Sequence, residues 1–336
     1  MDYKQELDSL TWEQVQSIKR RTKASVRPGP KPSPTVLTGA GGAAKPVIFA
    51  EGDSWFDFPP GVDIIDHLVQ GHGHAITRFS KHGDTLDNMV FGVDDGRPQI
   101  EDFLQEATQR QPRIVLFSAG GNDVLGEELL RYLNHSASGL PLLRDAVADY
   151  LIHTAFHNAF GTFIDRVRAV SPGAHFIIHG YAEPFPTGTK THCGPLPVAG
   201  PWIKPQLDKM KIAAQVGTPL VHNLAGRFNA MLSILAQSRP DHVTYLDLRP
   251  LVTAGDWRDE LHLQSSTYAR IADVFAAEIA RILAPVTGPA ILTGAAPPIA
   301  TVRPYWEDAR RRAKRAQPSH RKRRPARPAR RGKKKK

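Results

Sequence analysis

The chain has 336 residues, enough for one large α/β domain with extensions or for two small domains. Its net charge of +11 is uneven: 17 Lys and Arg against Glu307 and Asp308 give Arg303–Lys336 a charge of +15 and leave the rest at −4. The single cysteine, Cys193, excludes an intrachain disulfide and a multi-cysteine metal site, and it fits a reducing compartment.

In chain order, the N-terminus MDYKQELDSL has no apolar core and so is not a secretory signal; a cytoplasmic location is the default expectation, with nuclear targeting and signal-independent export left open. Residues 1–26 read as a short helical segment, with Thr11 and Gln14 as a capping box and Leu7, Leu10, Val15 and Ile18 sharing a side. Residues 27–46 read as a Pro/Gly-rich linker. Its Gly39-Ala40-Gly41-Gly42 precedes a strand, whereas a phosphate-binding turn follows one, so it is no nucleotide loop.

From residue 47 to residue 284 short apolar runs alternate with helical stretches. The expected strands are Val47–Ala50, Ala75–Phe79, Ile114–Phe117, His175–His179 and Val243–Leu246. The expected helices are Ile64–Gln70, Gln99–Gln109, Ala146–Val170, Gln206–Gln237 and Thr267–Leu283. Such alternation predicts a mostly parallel five-stranded sheet covered on both faces. Residues 285–302 form a second linker: four prolines interrupt APVTGPAILTGAAPPIATV, which excludes a membrane-spanning helix there. The basic segment 303–336 has almost nothing to bury and is expected to be disordered.

Chemistry gathers at the strand ends. Val47-Ile48-Phe49-Ala50 runs into Glu51-Gly52-Asp53-Ser54-Trp55, where Ser54 reads either as a helix cap or as a nucleophile at the carboxyl end of a strand. Three more stretches weigh toward the second reading. Gly83 follows the second strand in SKHGDTLDNM, Gly120-Gly121-Asn122-Asp123 follows the third, and Asp259 and His262 stand in DELH before the last helix.

In this order these blocks resemble the SGNH (GDSL-type) hydrolase family, over roughly 47–283. The resemblance implies a flavodoxin-like three-layer α/β/α sandwich and a serine esterase or lipase that works without a cofactor or metal. It implies Ser54 as nucleophile, His262 as base and Asp259 as the partner that orients it. It further implies an oxyanion hole from the backbone N–H groups of Ser54 and Gly83 and the Asn122 side-chain amide. Asp53 is expected to brace the turn. Trp55 stands where the family name has leucine. The absence of a second glycine after Ser54 disfavours the G-x-S-x-G elbow of the α/β-hydrolases.

The fourteen histidines invite a metal reading through His179, His192 and Cys193, but no HExxH or CxxC spacing supports one. Segments 124–148 and 181–205 leave strand ends on the site side, so Trp55, Tyr181, Phe185 and Trp202 are candidate substrate contacts. The family's range favours an acyl ester of a lipid or lysophospholipid, with a sugar O-acetyl group as the alternative. Residues Arg303–Lys336 are expected to bind a polyanion (nucleic acid, anionic membrane or acidic glycan) without sequence preference. A rival reading makes that binding the main function and the hydrolase domain secondary. Oligomeric state is not encoded in any visible pattern.

Overall fold

A computed structural model describes residues 35–37, 46–58, 61–94 and 97–284. The expected N-terminal helix, most of the first linker, and residues 285–336 lie outside them. Within the described residues the strands are β1 (Thr35–Leu37), β2 (Ile48–Gly52), β3 (Ile76–Arg78), β4 (Val93–Asp94), β5 (Arg97–Pro98), β6 (Ile114–Ser118), β7 (His175–His179), β8 (Thr191–Cys193), β9 (Leu196–Ala199) and β10 (Val243–Leu246). The helices are α1 (Ile64–Gln70), α2 (Leu86–Phe91), α3 (Ile100–Arg110), α4 (Gly121–Leu125), α5 (Asp145–Tyr150), α6 (His157–Val170), α7 (Lys204–Lys209), α8 (Ala214–Gln237) and α9 (Ser265–Leu283).

The main sheet runs β1-β3-β2-β6-β7-β10. Its last five strands are parallel, and taken in chain order they give the 2-1-3-4-5 arrangement of flavodoxin-like proteins. The expected five-stranded core is therefore present. It gains a sixth strand because Thr35–Leu37, inside the segment read as a linker, pairs antiparallel with β3. Strands β2 and β6 are buried along their whole length, which explains their unbroken apolar runs.

Helices α1 and α9 pack together, while α3, α6 and α8 form a second packed series. Phe49, Phe79, Phe103, Phe117 and Phe163 join ring to ring in the core, with Phe117 and Phe163 stacked at 4.1 Å. Each such ring, fully buried, contributes about 1.5–3 kcal/mol.

Two long helices differ from the sequence expectation. Residues 146–170 contain a wider π-helical turn, Leu151–Phe156, between α5 and α6. The stretch 206–237 breaks into α7 and α8, because Lys211 takes a left-handed φ of 55° and turns the chain. No helix among the described residues is long and apolar enough to cross a membrane.

Candidate active site

Strand β2 has β3 on one side and β6 on the other, so successive connections leave its carboxyl end in opposite directions and open a crevice there. Ser54 follows β2 at this point, and Asn122 follows β6 at the start of α4. Gly120 takes φ +93°, and a Cβ there would meet the Phe228 ring at 2.4 Å. Only glycine lets the chain turn so close to α8.

The expected base, His262, stands in the loop before α9. His262 Nε2 lies 2.8 Å from Ser54 Oγ, and Nδ1 lies 2.9 and 3.0 Å from the two Asp259 oxygens. A carboxylate only accepts, so Nδ1 carries the proton and Nε2 is left to accept from the Ser54 hydroxyl. Asp259 also accepts from the N–H groups of Leu261 and His262 and from the Thr191 hydroxyl at 2.5 Å. Burial pushes its carboxyl up, but the charge and hydrogen bond of His262, with the Thr191 and Leu261 bonds, outweigh burial and leave it below its ordinary value. Phe58 stacks on the imidazole at 4.5 Å and Trp202 meets it edge-on at 5.1 Å, which confines the ring.

The expected donors converge on the same crevice. Gly83 takes φ +75°, and neither its N–H nor that of Ser54 donates to another group among the described residues. One N–H of the Asn122 amide donates to the Asp84 carbonyl at 2.8 Å, and the second remains. Asp53 braces the turn from below. It accepts from Ser118 Oγ at 2.9 Å, from the Trp55 N–H at 3.0 Å, and from the Tyr181 hydroxyl. Burial raises its carboxyl to about 6 against the lowering effect of those bonds and of the His262 charge.

The four expected substrate contacts separate. Trp55 and Tyr181 are buried and line the small pocket beside Ser54, and the Trp55 indole N–H donates to the Leu261 carbonyl at 3.0 Å, which ties the Ser54 turn to the His262 loop. Trp202 lines an open cleft of about 290 Å³, together with Lys81, His82, Gly83, Asn88, Asn122 and Glu128. Phe185 is the correction: it packs edge-on against His222 at 5.3 Å and lines neither this cleft nor the pocket beside Ser54.

Sequence reasoning missed Thr191 and Glu260. Glu260 is fully buried, and four backbone N–H groups from 188–204 donate to its carboxylate. Its only signal was an acid between Asp259 and His262 with no assigned task. His179, His192 and Cys193 do not converge: His179 stacks on Trp55, and burial lowers its pKa to about 4. Among the described residues no three His, Cys, Asp or Glu side chains gather to hold a metal ion.

A serine, a histidine and a carboxylate stand in hydrogen-bonded series at the switch point of a parallel sheet, the arrangement that a serine hydrolase would need. The model of the family described as GDSL-like Lipase/Acylhydrolase matches residues 48–275, and the chain belongs to that family of ester hydrolases. Similar solved structures include a family 3 carbohydrate esterase of Clostridium thermocellum, 15% identical, covering 72% of this chain and 100% of that one, TM-score 0.40. Phospholipase A1 of Streptomyces albidoflavus NA297 is 14% identical over 69% and 99% of the two chains, TM-score 0.42. The inhibitor-bound aryl esterase of M. smegmatis is 13% identical over 71% and 100%, TM-score 0.44. Likenesses at this level say nothing of substrate. Among curated proteins none matches the chain in sequence.

Proposed function

We propose that this hydrolase cleaves esters of short carboxylic acids with polar alcohols, through an acyl-enzyme on Ser54. The observation that supports it most is the 2.8 Å approach of His262 Nε2 to Ser54 Oγ with Asp259 behind the ring. His262 takes the hydroxyl proton as Oγ attacks the ester carbonyl carbon. The carbonyl oxygen becomes an oxyanion facing the Ser54 and Gly83 N–H groups and the second Asn122 N–H, each worth about 3 kcal/mol of barrier. The imidazolium then protonates the departing alcohol oxygen, leaving the acyl group on Ser54. Water repeats the sequence, giving its proton to His262, and the acid leaves as Oγ recovers a proton.

The two sides of Ser54 differ in size and polarity. Trp55, Leu125, Tyr181, Ala182, Trp257 and Leu261 line a small, partly open pocket of about 20 Å³ beside it, which favours a short acyl group. The larger cleft carries Lys81, Asn88, Glu127 and Glu128. A sugar O-acetyl ester fits both sides, whereas the lipid ester favoured by sequence needs a long apolar channel. Rates over p-nitrophenyl acetate, butyrate, octanoate and laurate, beside an acetylated sugar and a lysophospholipid, test this. Acetate and the acetylated sugar are expected to lead; laurate or the lysophospholipid leading would overturn it.

A further inference from the structure

The carboxylate behind His262 is held in part by a distant hairpin. Two N–H groups of its own loop, those of Leu261 and His262, donate to Asp259 Oδ1 at 2.9 and 2.8 Å. Oδ2 has a different pair of donors: the imidazole Nδ1 at 3.0 Å and the Thr191 hydroxyl at 2.5 Å. The Asp259 side chain has no solvent exposure, so bulk water does not compete for that oxygen. Thr191 is itself brought there by a firm scaffold. It begins β8, whose pairing with β9 is irregular between Thr191 and His192, and such bulges re-aim a side chain. Both neighbours of Asp259 grip the same excursion. Arg258 Nη2 donates to the His192 carbonyl at 2.5 Å, and Glu260 accepts from the N–H groups of Gly188, Trp202, Ile203 and Lys204. The place of the hairpin therefore does not hang on the Thr191 hydroxyl.

We propose that Thr191 is a positioning residue: its hydroxyl fixes the plane of the Asp259 carboxylate, and through it the direction in which His262 faces Ser54. The inference rests on the serine-esterase reading above. It follows from how a carboxylate turns. The last torsion of an aspartate is broad, and the two loop N–H groups hold only Oδ1. The bond to Oδ2 holds the other end, with both oxygens within 3.0 Å of Nδ1. The imidazole gains its charge as Ser54 attacks, so a carboxylate oriented beforehand serves the transition state more than the bound ester. Thr191 lines neither the open cleft nor the pocket beside Ser54, so it has no part in binding the substrate.

The experiment compares Thr191→Val, Thr191→Ala and Thr191→Ser in the full chain on p-nitrophenyl acetate. Valine keeps the shape of threonine without its hydroxyl, and the serine and alanine variants differ by that hydroxyl alone. A hydrogen bond to a charged group is typically worth about 10- to 100-fold in an equilibrium. Thr191→Val and Thr191→Ala are therefore expected to lose about 10-fold or more in kcat, with KM changed by less than about threefold. Thr191→Ser is expected to keep most of the wild-type kcat. Proton NMR gives an independent reading: the His262 Nδ1 proton, shifted downfield by its bond to Asp259, is expected to move upfield or broaden in Thr191→Val and to stay in place in Thr191→Ser. Wild-type kcat in Thr191→Val, or equal kcat in Thr191→Ser and Thr191→Ala, overturns the proposal; the second comparison stands even where the valine variant fails to fold. Fluorophosphonate labelling of the wild type and not of Ser54→Ala checks the underlying reading separately. Missing labelling refutes that reading, and normal labelling with unchanged kcat in Thr191→Val refutes this one alone.

Discussion

Replacing Glu260 by glutamine isolates one buried charge without changing its shape. Oε1 accepts from the N–H groups of Gly188 at 2.8 Å and Lys204 at 3.1 Å; Oε2 accepts from those of Trp202 at 2.7 Å and Ile203 at 2.8 Å. Glutamine keeps one oxygen and turns an NH₂ toward the other two donors, so two charge-assisted bonds become donor-against-donor contacts. Such bonds contribute about 1.5–3 kcal/mol each, so the loss is about 3–6 kcal/mol. In a domain of this size each kcal/mol moves Tm by about 2–4 °C, so the variant should melt about 6–24 °C lower. The same N–H groups place Trp202 against His262, so KM for an ester of a polar alcohol should rise more than kcat falls. Differential scanning fluorimetry beside steady-state kinetics reads both. A Tm within about 2 °C of the wild type would show that water or a rearranged loop satisfies the donors, and would refute the clamp.

Asp53 gives a pH-dependent stability change of defined sign. Its proton is held more tightly folded than unfolded, since burial raises its pKa from 3.8 to about 6. Its stabilising contribution is therefore complete below about pH 4 and is lost as pH rises through about 6, a total of about 3 kcal/mol. Asp53→Asn should gain stability over the wild type progressively from pH 4 to pH 7 in urea unfolding, and a pH-independent difference would sink the assignment. Removing Arg303–Lys336, which carries +15, should leave p-nitrophenyl acetate hydrolysis unchanged and abolish salt-sensitive binding to duplex DNA and anionic vesicles. Equal binding by the truncated chain would refute an electrostatic arm.

The parallel strands were legible because burial on both faces leaves an unbroken apolar run, as in Ile114–Phe117. Ser54, Asn122, Asp259 and His262 were legible because they stand in three short blocks, beside strand ends or before a helix, whose order resembles that of the family. What was not legible depends on partners far along the chain. Thr191 reaches Asp259 from a hairpin that has no motif, and Glu260 answers backbone groups, which no side-chain pattern announces. Phe185 was an aromatic in a site-side loop, but His222 on α8 offered it a closer partner. Thr35–Leu37 joins the sheet because β3 has a free edge, a property of β3 and not of the proline-rich segment that fills it.

Ser54 and His262 touch across 208 residues of chain. At about 5–20 residues per second, synthesis delivers the serine roughly 10–40 s before its histidine. Throughout that interval, and in any fragment that ends before Asp259, the hydroxyl is an ordinary alcohol without a base. On the proposed chemistry, turnover waits until the loop before α9 has closed on the turn after β2, so an acylated Ser54 would report that these two distant parts of the domain have met.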